Sequence, residues 1–514
     1  MSKKILVQQS VFIFRRLLNT TSTSFNLDVQ STDVKPFSQV PSLSAFEIIA
    51  RNLPGGKFYN KSMKDLHLIM NAEFGNIVRF AGIFGRPPLL FVYDANDFEK
   101  TLRTEGVWPE RIALESLAYY RKTKRPDIYN EYSGLFSAQG EEWHKMRTIT
   151  NPILMQPKII KLYCKQVDEI AKEFVGIMRK LRDEKCEMPA DFSNYINSWS
   201  LESIVAIALE RRLNILSGSS NDEKAQELIK NIRLFFEKSF LYDVLPSVWR
   251  YYETKGFKNF LKVYDTITNI VLHYIDIAIK EMEKSESSSL NHEDSILRKL
   301  LKIDKKAAVV MASDMLLAGV DTTATATINI LYCLAKNPEK QDILRKELNV
   351  ILPSKDTKIT AQNMQNMPYL RAVIKETLRI MPVVSGTARK TGQDVNLSGY
   401  KVPAGTHVIM VPIFEMNDEK QYPQPEKYMP ERWLRENNDP QCPHAKNANP
   451  FTFLPFGFGS RMCIGRRLAE LEIEVLIANV IRNFKLEWHH PDMKIKSTFV
   501  NLPISDLKFK VIDA

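Results

Sequence analysis

The sequence predicts a mostly α fold with a small β part, and three observations predict it. Long stretches carry apolar residues at helical spacing, namely 158–182, 192–210, 222–240, 257–284, 338–351 and 464–483. One further stretch, 306–337, carries only Asp314 and Asp321 as charges apart from lysines near its ends, as expected of a long buried central helix. Strand-like runs are few and short: 76–81, 89–93, 395–402, 406–411 and the last part from Lys485. No repeat, low-complexity tract or Gly/Ser linker divides the chain after its Pro-marked entry, so residues 36–514 read as one large domain.

At 1.5 Å per residue, the 306–337 helix would be roughly 45 Å long, enough to cross a bilayer. Its Ser, Thr and Asn residues and two acids favour the centre of a water-soluble domain instead. The front of the chain reads differently. Residues 1–27 hold Lys3, Lys4, Arg15 and Arg16, no acid, and a Ser/Thr cluster at 20–24. That is the composition of a mitochondrial transit peptide, placed here over 1–35 with its cleavage point open; a disordered or secretory start is the competing reading. A signal anchor is disfavoured, because the uncharged run between Lys4 and Arg15 is only ten residues and is broken by Gln8, Gln9 and Ser10.

With 71 Lys and Arg against 60 Asp and Glu, the net charge of +11 suits nucleic acid, an anionic membrane or an acidic protein. Distribution has to choose between them. The five cysteines are scattered and form no C-x-x-C pair, which argues against a disulfide framework or a Cys-rich zinc site and for a reducing compartment.

The most informative segment runs Phe456-Gly457-Phe458-Gly459-Ser460-Arg461-Met462-Cys463-Ile464-Gly465, just ahead of a helical pattern. Gly459 and Gly465 let the backbone turn tightly and aim N–H groups at sulfur. The start of the following helix and the Arg461 cation would lower the Cys463 pKa in the same direction. Two chemistries then compete, a nucleophile and a thiolate metal ligand. A nucleophile needs a base held near it, and spacing singles out none of the eight histidines. A ligand needs only the cation and hydrogen bonds already counted, and a haem has propionates that Arg461 could pair. The plainest reading, a buried Cys in a Gly-rich turn, is the usual fate of a lone cysteine.

This segment, Phe-x-x-Gly-x-Arg-x-Cys-x-Gly, resembles the haem-binding segment of the cytochrome P450 family. The resemblance covers roughly residues 50–514. It implies the cytochrome P450 fold with a cysteine-ligand loop, haem b with Cys463 as axial thiolate, and Phe456 and Arg461 beside the cofactor. Lys375-Glu376-Thr377-Leu378-Arg379 puts Glu376 and Arg379 on one helix face. Alone, a Glu-x-x-Arg should arise by chance about once or twice in such a length. With Pro430-Glu431-Arg432-Trp433 following, the family implies a buried network of Glu376, Arg379 and Arg432 that stabilises the fold and locks the cysteine loop. Trp143 and Arg147, four apart, resemble the pair that bonds a haem propionate, and Arg389 is a further propionate candidate.

Ala318-Gly319-Val320-Asp321-Thr322-Thr323 resembles the family's oxygen-binding groove. Gly319 would let a ligand approach the backbone, Thr322 would bond the helix's own carbonyls, and Asp321 with Thr322 would relay protons as the catalytic pair. Arg371, Lys375, Arg466 and Arg467 resemble the mitochondrial branch, which implies docking of an acidic ferredoxin. Leu53-Pro54-Gly55-Gly56 and Gly134-Leu135-Phe136 look most like insect mitochondrial members.

The resemblance thus implies a monooxygenase that inserts one atom of O2 into a lipophilic small molecule, steroid or xenobiotic. Electrons would come from NADPH through ferredoxin reductase and ferredoxin. The expected place is the matrix side of the inner mitochondrial membrane, in peripheral contact through 235–245 and with no nucleic acid bound. Substrate contacts are expected from the loop 104–137 and from 234–249, 383–387 and 500–503. A haem-thiolate isomerase or dehydratase without a redox partner is the alternative, and a non-haem interaction protein the third reading.

Overall fold

The computed structural model describes residues 34–112, 114–216, 222–285, 295–436 and 442–514. The transit-peptide reading falls almost wholly on residues 1–33, outside the described residues.

Two short helices lead the described chain, α1 (Ala45–Asn52) and α2 (Met63–Phe74). The larger helices that build the site follow: α3 (Gly140–Leu154), α4 (Lys158–Leu181), α5 (Phe192–Ala208), α6 (Glu223–Ser239) and α7 (Lys255–Ser285). After them come α8 (Lys305–Lys336), α9 (Pro338–Ile351), α10 (Pro368–Ile380) and α11 (Arg466–Asn483).

Helix α8 starts where the Asp304 carboxylate accepts the Ala307 N–H at 2.9 Å, a side-chain cap on an otherwise orphaned donor. It ends at Asn337 because Pro338 cannot continue it and instead opens α9. Among the described residues it is the one helix long and apolar enough to cross a membrane, yet 78% of its apolar window is buried. Helices α5, α7, α10 and α11 pack around it, so it is the axis of the main core. Each fully buried Leu or Ile there, such as Leu316, Ile330 and Leu334, contributes about 1.5–3 kcal/mol through lost apolar exposure.

The β part comprises β1 (Lys35–Pro36), β2 (Ser42–Leu43), β3 (Ile77–Phe80), β4 (Leu89–Val92), β5 (Thr387–Lys390), β6 (Val395–Leu397), β7 (Tyr400–Val402) and β8 (His407–Met410). The last four are β9 (Phe484–Glu487), β10 (Ile495–Ser497), β11 (Asn501–Pro503) and β12 (Lys510–Asp513). One five-stranded sheet runs β2-β3-β4-β8-β5, β1 joins the β6–β7 hairpin, and β9/β12 and β10/β11 form pairs. Two expectations are corrected here. The run 395–402 is not one strand but a hairpin, because Ser398 and Gly399 both take positive φ (48° and 81°) and reverse the chain. The segment 104–137 is not a plain loop, since it contains the helix Glu115–Tyr119 and a wide turn over Tyr120–Lys124.

Candidate active site

A cavity of about 560 Å³, within the range of small-molecule sites, lies between α8, the five-stranded sheet and the loop before α11. Its wall is largely apolar, with Leu135, Ile204, Met315, Val383 and Phe456 among the lining residues. Cys463 lines it as well. The loop folds back so that the Cys463 N–H donates to the Phe456 carbonyl at 2.8 Å, turning through Gly457 (φ 73°) and Gly459 (φ 70°). A Cβ on Gly459 would also meet the Glu105 carboxylate at 2.7 Å. Gly465 differs from its expected part: its φ is −82°, a Cβ there would stand in ordinary contact with the Cys463 sulfur at 3.9 Å, and what it contributes is an N–H pointed at that sulfur.

The sulfur is accessible from the cavity but sits deep within the protein. Burial therefore raises the Cys463 pKa, against the expected lowering; the Gly465 N–H, then Arg147 and Arg111, pull the other way. Arg461 is not one of those cations. It lies 4.1 Å from the Trp143 ring centre and donates to the carbonyls of Pro109 (2.8 Å) and Ala138 (3.1 Å) and to the Gln139 side chain (2.9 Å). Burial, followed by Arg111, Arg389 and Arg147, pushes its pKa down to about 8.

Arg147, on α3 one turn after Trp143, donates to the Met462 carbonyl at 2.9 Å, directly behind the cysteine. Arg389 is tied to Glu105 and donates to the Phe458 carbonyl at 2.9 Å, so it braces the cysteine loop from β5. Arg111 was invisible to sequence reasoning. It lines the same cavity, fully enclosed, with burial and then Arg389 lowering its pKa to about 10.

Each of Arg111, Arg147 and Arg461 keeps one buried N–H without a partner (Nε, Nε and Nη1). Buried unpaired donors are costly, and a cluster of cations in surplus over carboxylates is a receptor for anionic groups. A thiol open to the cavity beside guanidiniums with free donors fits a haem, which Cys463 would hold through its iron and Arg111, Arg147 and Arg461 through its propionates.

On α8, Gly319 and Thr322 line the cavity. The Thr322 hydroxyl donates to the Ala318 carbonyl at 2.6 Å, and the helix stays α through this turn. Gly319 has a packing reason too, since a Cβ there would stand 2.8 Å from Ile204 on α5. Ser200, also missed, donates to the Val320 carbonyl at 2.9 Å and fixes α5 to this turn. Asp321 does not line the cavity. It is buried toward α6, one oxygen unpartnered, with Arg233 and Glu237 its charged neighbours; burial raises its pKa to about 7.

Glu376, Arg379 and Arg432 come together with no exposure at all. Arg379 donates to both Glu376 oxygens at 2.8 and 3.0 Å, and Arg432 Nε to one at 3.0 Å. Trp433, unforeseen, adds its indole N–H at 2.8 Å. Gly134 (φ 86°) matters for a related reason, since a Cβ would press on Arg121 and Asp314, a buried pair 2.6 Å apart that ties α8 to the chain above it.

The expected substrate segments are placed as follows. Ile112 and Leu135 line the cavity from 104–137, Val244 and Leu245 from 234–249, and all of 383–387 line it. The chain's end contributes Thr498 and Phe499 rather than 500–503, because the β10–β11 hairpin tip reaches the cavity while Val500 and Leu502 are buried in the core. The membrane-facing expectation shifts as well: Phe235 and Phe236 are buried, and the exposed apolar residues are Leu241, Val248, Tyr251 and Tyr252.

The fold and the cysteine-centred cavity define a haem-thiolate enzyme. Residues 49–511 match the cytochrome P450 family model. The chain is 41% identical to the probable cytochrome P450 12a5, mitochondrial, of Drosophila melanogaster, covering 99% of this chain and 98% of that protein. It is 43% identical to cytochrome P450 CYP12A2 of Musca domestica (93% and 91% covered) and to cytochrome P450 12b1, mitochondrial, of Drosophila acanthoptera (90% and 87%). The chain belongs to the cytochrome P450 family, the haem-thiolate monooxygenases, with haem held by a cysteine thiolate.

Proposed function

We propose that the chain is a mitochondrial monooxygenase that transfers one atom of O2 to a lipophilic small molecule, steroid or xenobiotic, with electrons from NADPH through ferredoxin reductase and an acidic ferredoxin. The observation that carries this reading is Cys463 facing a mostly apolar cavity beside Thr322. Bound haem supplies oxygen activation. The chain's own work is to hold it through Cys463 and the arginines, to exclude water with the apolar wall, and to place protons.

Thr322 presents its hydroxyl at the cavity, while Asp321 holds a proton on the other face of the same helix turn. That acid has a pH consequence. Its folded pKa lies above the ordinary carboxylate value, so its contribution to stability is complete at acid pH and declines as pH rises towards about 7. Melting temperatures of wild type and Asp321→Asn should show the wild type's relative stability falling between pH 5 and 7 and flat above it; a constant difference would contradict a buried, proton-holding Asp321.

The ferredoxin would dock where Lys375, Arg371, Arg466 and Arg435 gather. Lys375 is held below the usual lysine range by burial and then by Arg466, Arg371 and Arg435, which shows how close these cations lie. Three of the expected docking cations are already engaged, Arg371 with Glu474 at 3.5 Å, Arg466 with Glu470 at 2.9 Å, and Arg467, whose Nε donates to the Met155 carbonyl at 2.8 Å. Opposite charge speeds encounter and fades with salt. Reversing Arg371 and Lys375 to Glu should lower ferredoxin-dependent turnover about tenfold while sparing the haem spectrum; unchanged turnover would remove this docking site.

The names of the relatives and the acid-free leader support import, with the enzyme on the matrix side of the inner membrane, resting on it through the exposed apolar residues near 241–252. Lys35 already pairs with Tyr400 across β1 and β7, so cleavage ahead of Lys35 would preserve that strand. A fluorescent reporter carrying residues 1–35 should enter mitochondria, and a cytosolic reporter would rule the leader out.

A further inference from the structure

The cavity continues past the cysteine loop into an arm between α1, α2 and the β3–β4 pair, lined by Ile48, Phe58, Leu66, Met70 and Phe91. These residues belong to an apolar cluster separate from the one that contains α8 and packs on Phe456. One imidazole stands among them. His67 of α2 is only 3% exposed, and it lines the cavity as well.

The two ring nitrogens are in different positions. Nδ1 lies 3.3 Å from the Tyr93 hydroxyl. Tyr93 is buried and its O–H has no other acceptor among the described residues, so that hydroxyl donates to Nδ1. Burial lowers the His67 pKa to about 4, so the ring is neutral at neutral pH and carries a single N–H. With Nδ1 accepting, that N–H is on Nε2. No group of the described residues accepts from it, and a donor left unpaired in an apolar wall is costly until a ligand brings an acceptor. The ring is also fixed in place, with Phe91 at 5.6 Å and Tyr93 at 5.9 Å between ring centres.

We infer that His67 is a specificity-determining hydrogen-bond donor in this arm, and that the enzyme takes lipophiles bearing a neutral carbonyl, a ketone or an ester, whose oxygen accepts from Nε2. The inference rests on the monooxygenase reading above and narrows its substrate class. A carbonyl suits the arm, because a neutral imidazole offers one N–H and no charge, and the apolar wall takes up the rest of a lipophile.

Hexanophenone and hexylbenzene, which share a skeleton and differ by C=O against CH2, test it on the haem-loaded full chain. Equilibrium dialysis reads affinity wherever the ligand sits, and the infrared stretch of an isotope-labelled carbonyl reads its hydrogen bond. In wild type the stretch of bound hexanophenone should lie at lower wavenumber than in hexane. His67→Phe should remove that shift and weaken the ketone about fivefold, the scale of one neutral hydrogen bond, with hexylbenzene nearly unchanged. His67→Gln, which keeps an N–H donor, should restore part of the preference, and Tyr93→Phe, which leaves the ring but frees its tautomer, should lose part of it. An unshifted carbonyl in wild type would overturn the inference without any variant. So would equal weakening of both ligands in His67→Phe, which is what a purely packing role would give. A protein without a thiolate-ligated haem spectrum would instead defeat the underlying monooxygenase reading, so the two failures are distinguishable.

Discussion

Glu376→Gln should cost the folded protein about 3–5 kcal/mol, the scale for removing one partner of a fully buried ion network. The carboxylate accepts from Arg379, Arg432, the Trp433 indole and the Met429 N–H, and none of the three charged side chains has any solvent contact. The arginines' other N–H groups go to carbonyls, of Met416 at 2.8 Å, Pro425 at 2.7 Å and Pro423 at 3.2 Å. Glutamine keeps the shape but leaves two buried guanidiniums with no counter-charge. Against a total stability of about 5–15 kcal/mol, that loss decides whether the chain folds. The damage should reach the site, because Trp433 packs on Phe453 with ring centres 4.6 Å apart, just ahead of Phe456 and the cysteine loop. Denaturant unfolding and the yield of haem-loaded protein measure it. Glu376→Asp, which keeps the charge, should lose less; a Glu376→Gln protein as stable as wild type would show that the network is not structural.

Much of this was legible in the chain because it is local. The helices α4 to α7, α9 and α11 follow from apolar spacing, and α8 from its lack of charge, since a helix buried on all sides needs no polar face. Helices α1 and α2 escaped a reading based on periodicity, although each begins with a capping box, Ser44 with Glu47 and Ser62 with Asp65. The turn inside 395–402 was hidden because apolar and polar residues alternate across it, and only the Ser398-Gly399 pair announced it.

At the site, residues within a recognisable motif were readable, whether beside Cys463 or, like Trp143, Arg147, Thr322 and Arg389, far from it in sequence, and those outside any motif were not. Arg111 and Ser200 meet the site from chain segments more than a hundred residues away, and no pattern around either marks it. The thiol's pKa shows the same divide. The Gly465 N–H acts as a local reading expects, but burial is a property of the whole fold and outweighs it. Asp321 is adjacent to Thr322, yet the 100° step between neighbours on a helix turns it from the cavity toward α6.

Cys463→Ser should have the largest effect on function. A hydroxyl fits the same loop, so the fold should survive, but serine cannot supply the soft anionic sulfur that holds haem iron and raises its electron density. Monooxygenase activity should disappear while helix content and melting behaviour of the apoprotein stay near wild type. The most direct measurement is the visible spectrum of reduced, carbon monoxide-treated protein, wild type beside Cys463→Ser. Wild type should show the strongly red-shifted Soret band of thiolate ligation and the variant should lack it. A colourless wild type, or a variant with the same red-shifted band, would contradict the assignment of Cys463 as the haem ligand.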